Sequence, residues 1–140
     1  MPTFNKFNLF VDDLAKKLLD LNTDTIKAML TDTAPVATNH LYTDISANEL
    51  AAGNGYTTGG AAVTGAGVTN TSGEEIMTAN PSTWTSVTGN MGPFRYVVYY
   101  DVTSGTLIGW YDNGSSITLN GVNGDTFTAT PSSGDLLTLQ

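Results

Sequence analysis

The chain contains no cysteine, a single histidine and five basic residues, and only 13% of its 140 residues are charged. Without cysteine there are no disulfides and no thiolate-held zinc, and a small disulfide-stapled secreted module is disfavoured. The few cations are unevenly placed. Lys6, Lys16, Lys17 and Lys27 all precede residue 28; beyond it Arg95 faces nine acids, and the net charge is −8. Such a surface repels phosphate, which argues against nucleic acid and against an anionic membrane as partners. No apolar run approaches the length of a membrane-spanning helix. The opening MPTFNKFNLFVDD lacks the continuous apolar stretch of a signal peptide.

Thr, Gly, Asn and Ser supply the missing polarity. Thr suits strands, while Gly, Asn and Ser suit turns, so the composition points to a β-rich fold. A chain of this length makes one domain and buries roughly two-thirds of its unfolded surface, enough for a core without covalent staples.

One helix is expected, over residues 7–21. Phe7, Val11, Leu14, Leu18 and Leu21 form an apolar stripe at spacings of four and three, with Phe10 and Leu19 widening it. Residues 24–31 alternate as a first strand, ended by Pro35. Ser46 with Glu49 fits a capping box before a short helical turn. The run GNGYTTGG reads as loop, and AAVTGAGV (61–68) as a strand of small residues. FRYVVYYD (94–101) is aromatic and β-branched on both faces, as a central strand is; its expected antiparallel partner is TLIGWYD (106–112). Gly89 to Pro93, Asn113-Gly114 and Asn120 to Gly124 read as turns. Short strands follow at 116–119, 125–130 and 136–139, after earlier ones near 75–79 and 83–88. Seven or eight strands with turn signals about every eight to twelve residues predict a mainly β protein. The expected fold is an antiparallel, jelly-roll-like β-sandwich with one N-terminal α-helix, divided into an N-terminal arm and helix (1–23) and a single sandwich domain (24–140). Strand order is open at this level.

Residues able to carry chemistry are sparse. His40, in N-H-L-Y-T-D, reads as an exposed or contact histidine, since no G-x-S-x-G elbow accompanies it. Glu49, Glu74, Glu75, Asp101, Asp112 and Asp125 supply carboxylates for a glycosidase-like pair, but Asp101 and Asp112 read better as turn residues. No EF-hand or phosphate loop is present. The sequons at Asn70 and Asn113 are chance matches on this reading. Trp84, Trp110, Tyr96, Tyr99, Tyr100 and Tyr111 suit either a core or a sugar-stacking platform. No catalytic, cofactor-binding or metal-binding residue is expected.

Several stretches resemble a family of small tailed-phage virion proteins. They run in one order: LFVDDLAKKLLDLNTDTIKAMLTDTAPVATN from Leu9, GNGYTTGGAAVT from Gly53, Trp84-Thr85, GPFRYVVYYD, LIGWYDNGSSITL and GDTFTAT. The resemblance covers nearly the whole chain. Its most specific pieces are the glycine-rich run at 53–60, the strand from Arg95, and L-I-G-W-x-D-x-G from Leu107. It implies a non-enzymatic decoration or cementing protein on the capsid exterior, bound to the major capsid protein as a dimer or trimer. A tail- or fibre-associated carbohydrate- or receptor-binding module is the alternative. The resemblance implies no cofactor and no catalytic residue. Phe4, Lys6, Phe7, Phe10, Lys16 and Lys17, in the basic and apolar N-terminal segment, are the expected contacts to capsid or sister subunit.

Overall fold

A computed structural model describes residues 3–140. The elements in chain order are β1 (Phe4–Lys6), α1 (Phe10–Ala15), β2 (Ile26–Thr31) and α2 (Tyr42–Ile45), which runs into a 3-10 turn at Ser46–Asn48. Then come β3 (Ala61–Ala62), β4 (Gly67–Thr71), β5 (Glu74–Thr78), β6 (Ser82–Thr85), β7 (Met91–Asp101), β8 (Leu107–Leu119), β9 (Thr126–Ala129) and β10 (Asp135–Leu139). Every pairing is antiparallel. The mainly β expectation with a short N-terminal helix therefore holds. The strands form a five-stranded sheet in the order β1-β8-β7-β2-β3, a three-stranded sheet β10-β5-β4 and a two-stranded sheet β6-β9.

The five-stranded sheet is built on the expected hairpin. β7 pairs with β8 from Tyr100↔Leu107 out to Met91↔Leu119, and with β2 from Tyr96↔Thr31 to Asp101↔Ile26. Along Tyr96–Asp101 β7 has a strand on each side, and both faces of that stretch are covered, which is what its apolar run calls for. On one face Ile26, Ala28, Leu30, Phe94, Val97, Tyr99, Ile108 and Tyr111 pack against Met77, Trp84, Ala129, Leu136 and Leu137 from the two smaller sheets. On the other, Met29, Val98, Tyr100 and Leu107 pack with Phe7 and Ile45.

The N-terminal segment departs from expectation. The helix covers 10–15, not 7–21. Residues 4–6 instead form an edge strand, with Phe4 opposite Tyr111 and Lys6 opposite Gly109. Phe7 and Phe10, which a single stripe would hold together, are fully buried in different clusters on opposite faces of the sheet. Val11 and Leu18 of the supposed stripe are 43% and 49% exposed. The helix stops because Lys17 turns into the left-handed region at φ 58°. There the Lys17 N–H donates to Leu14 O and the Leu18 N–H to Asp13 O, a Schellman termination without its usual glycine. The division at residue 23 is likewise not a packing boundary, since β1 and Phe10 belong to the same sheet and core as the strands that follow.

Two turns read from sequence are not turns. Asn113-Gly114 lies inside β8, where an outward bulge shifts the register from Tyr96↔Asp112 to Phe94↔Ile117 and Gly114 takes φ 87°. Met91 to Pro93 belong to β7. The 61–68 strand is split, because β3 joins the large sheet while β4 joins the three-stranded one. Two glycines allow close approach. A Cβ on Gly60 would lie 2.0 Å from Ala28 O, and one on Gly109 would lie 2.3 Å from the Phe4 ring.

Candidate functional site

His40 presents Nε2 at 2.8 Å from Asp13 Oδ2. Asp13 is 2% exposed and the histidine side chain 35%. The pair ties α1 to the segment before α2, and among the described residues no hydroxyl bonds to the imidazole. The acid expected beside a working histidine is thus present, but no nucleophile completes a relay.

Glu49 has a role that the sequence did not disclose. The capping box is not formed: Ser46 offers Glu49 only its backbone carbonyl. The Glu49 carboxylate instead accepts from the Tyr42 hydroxyl at 2.5 Å, the Tyr56 hydroxyl at 2.7 Å and the Gly59 N–H at 2.6 Å. Tyr56 in turn accepts the Leu30 N–H, and Tyr100 donates to Gly59 O. The rings of Tyr42 and Tyr100 stack at 4.5 Å. Burial, with the Glu49 carboxylate adding to it, raises the Tyr42 and Tyr56 phenols well above the ordinary tyrosine range; burial pushes Tyr100 up to about 12. Phenols held this way donate hydrogen bonds and do not exchange protons near neutrality. The spacing of Tyr42, Glu49 and Tyr56 matches no known motif, so only the folded loop reveals the cluster.

The remaining acids are dispersed. Asp101 accepts the Thr103 and Ser104 N–H groups and the Ser104 hydroxyl, the turn role read from sequence. Asp112 is held instead by Arg95 through two hydrogen bonds, at 2.7 and 2.9 Å, and caps the Gly114 N–H of the bulge. The guanidinium, with that N–H, holds the Asp112 carboxyl below its ordinary range. Glu74 and Glu75 bond to Gln140 and Asn70. Among the described residues no three of His, Asp or Glu gather as metal ligands would, and no helix is long and apolar enough to cross a membrane.

The aromatic platform is not on the surface. Trp84, Tyr96, Tyr99, Tyr100 and Tyr111 are buried, and Trp110 lies against Phe7 with ring centroids 4.6 Å apart. The six expected contact residues divide in two. Phe7 and Phe10 are 0% exposed, and Phe4 packs edge-on against Tyr99 and Tyr111. Two of the three aromatics are therefore closed to a partner by this chain's own core. Lys6, Lys16 and Lys17 are exposed, and Lys16 pairs with Asp12 at 2.6 Å.

What the N-terminal segment does offer is a groove. It lies between the α1 end and the inner face of the three-stranded sheet, with a volume of about 700 Å³. Leu14, Leu18, Leu21, Val68 and Leu139 form its apolar walls, while Lys17, Asp20, Asp24 and Glu75 bring charge. In β5 Glu75 shares the core-facing side with Met77, but there the facing layer ends and the sheet's inner face opens to solvent. No family model, curated protein or solved structure matches the chain.

Proposed function

We propose that the chain is a non-enzymatic structural protein of a tailed-phage virion: a decoration or cementing protein that binds the major capsid protein on the capsid exterior. The ordered motifs that resemble small virion proteins support this reading. The observation that carries it is the groove beside α1, with Leu18 half-exposed at its edge, in a molecule whose His40 is engaged by Asp13 and whose Glu49 is engaged by the Tyr42 and Tyr56 hydroxyls. A groove with apolar walls and charges of both signs beside them suits contact with a protein surface. Repetition over a lattice, as a dimer or trimer, lets modest contacts add up. The contact residues are Leu18, Lys17 and the exposed Lys6 and Lys16, in place of the buried phenylalanines.

The test is re-addition of purified protein to particles lacking it, with occupancy read from sedimented particles. Wild-type chain saturates the lattice. Leu18→Asp, at a half-exposed position outside the buried core, should leave the unfolding free energy within about 1 kcal/mol of wild type and loses occupancy at least tenfold. Absence of the protein from purified particles, or full occupancy by Leu18→Asp, removes the reading.

A further inference from the structure

Four Asn-Gly dipeptides occur in the chain, at Asn54, Asn113, Asn120 and Asn123. Each carries the reactants for an intramolecular reaction: a side-chain amide carbon and, one residue on, a backbone nitrogen unhindered by any Cβ. In an unfolded chain the four are nearly equivalent. The fold makes them different.

Asn54 is held by its amide, which donates to Asn90 O at 2.7 Å. Asn113 donates to Ser115 O, and the nitrogen that would attack it, Gly114 N, is committed to the Asp112 carboxylate at 2.7 Å. Asn120 accepts the Val122 N–H on Oδ1. Its partner Gly121 is packed so closely that a Cβ there would lie 2.1 Å from Gly89 O. Asn123 is exposed, and among the described residues none forms a hydrogen bond with its side chain. The nitrogen beyond it makes only a long turn bond, Gly124 N–H to Gly121 O at 3.2 Å. Asn123 sits at the tip of the β8–β9 connection, next to Val122, which is 85% exposed. The base of that loop is fixed by the Asn120 N–H donating to Asp125 Oδ2 and the Asp125 N–H to Asn120 O, while no side chain at the tip is so held among the described residues.

We infer that Asn123 is the site at which the folded protein modifies itself, by deamidation through a cyclic imide formed with Gly124. The Gly124 nitrogen, having lost its proton to solvent base, forms a bond to Asn123 Cγ. The Cγ–Nδ2 bond then breaks and the nitrogen leaves as ammonia. Water opens the five-membered imide at either carbonyl, giving aspartate or isoaspartate. The net change is amide plus water to acid plus ammonia, with no oxidation or reduction. Holding both reactants in one chain favours the step, provided the side chain can rotate onto the nitrogen; of the four residues, only Asn123 has that freedom. Each event adds a negative charge to a chain already at −8, and the isoaspartyl product lengthens the loop backbone by one carbon.

The experiment incubates the full chain at mildly alkaline pH, once folded and once in urea. Samples are digested at acidic residues and each Asn-Gly site is followed by tandem mass spectrometry. In urea all four sites convert at comparable rates. In the folded protein Asn123 converts several-fold faster than any other, and Asn123→Gln removes the first acidic species on native isoelectric focusing. Earlier conversion at Asn54, Asn113 or Asn120 overturns the inference. So does a folded protein that stays unmodified at Asn123 while the unfolded chain reacts.

Discussion

On one face of the five-stranded sheet, Ile26, Leu30, Val97, Tyr99 and Ile108 meet strands of two other sheets, and the layer between them is almost wholly apolar. On the opposite face, Met29, Val98, Tyr100 and Leu107 form a much smaller cluster. That face is covered by the irregular segment between β2 and β3, within which the Glu49 carboxylate ties together Tyr42, Tyr56 and Gly59; the Leu30 N–H donates to the Tyr56 hydroxyl and the Tyr100 hydroxyl to Gly59 O, fastening the segment to the sheet. The first layer closes by removing apolar surface from water, which is non-directional and tolerant of shape. The second closes by hydrogen bonds to a charged group, which are strong when complete and costly when one partner is lost. Loop-covered faces therefore concentrate their stability in a few atoms, and sheet-covered faces spread it over many.

The largest expected effect tests whether the N-terminal segment belongs to both layers. Deleting residues 1–10 removes β1 and both buried phenylalanines, each worth about 3–5 kcal/mol on truncation. That sum rivals the whole stability of an ordinary domain, about 5–15 kcal/mol. The truncated chain should lose its cooperative thermal transition; one that keeps it would show that β1 is an appendage. Next come matched single changes. Phe94→Ala, in the sheet-covered layer, should cost about 3–5 kcal/mol in urea unfolding. Glu49→Ala should cost on the order of 3 kcal/mol by leaving buried donors without an acceptor, and Glu49→Gln clearly less. Equal losses for Glu49→Ala and Glu49→Gln would mean that the charge, and not the shape of the side chain, closes that face.

Alkali sharpens the comparison further. Tyr42, Tyr56, Tyr99, Tyr100 and Tyr111 all have raised phenol values, from burial first in each case. Their ordinary value is about 10. Neutral phenols therefore favour the folded state below pH about 10, and that contribution is lost as pH rises through the folded values. Phenolate absorbance should rise in one step together with loss of near-ultraviolet circular dichroism; a gradual titration of the folded protein near pH 10 would contradict the burial. The smallest effect is at Asp112. Its lowered folded value means that its contribution is present above the unfolded value of about 4 and disappears as pH falls below it. Asp112→Asn should narrow the stability difference between pH 6 and pH 3, measured as urea midpoints, and leave the alkaline step unchanged.

The strands of the large sheet were legible because β7 carries its pattern locally: alternation with aromatics on both faces needs no knowledge of the rest of the chain. The helix was overread because spacing cannot tell an apolar stripe from two anchors bound for opposite faces, and because Lys17 ends the helix where glycine would have announced it. Asn113-Gly114 looked like a hairpin turn because a bulge with a left-handed glycine uses the same dipeptide. The pairs His40–Asp13 and Glu49–Tyr56 left no trace in the sequence. Their members come together only when the 36–60 segment folds onto the sheet, and no spacing rule encodes that.

The pairing of Phe4 with Tyr111 has a consequence for how the chain reaches this state. Among the described residues β1 finds its sheet neighbour in β8, far along the chain. β1 cannot pair until β8 is in place, so closure of that edge awaits a contact spanning most of the polypeptide. Folding of this kind is slow for its size, because the loop entropy is paid before the long-range contact forms.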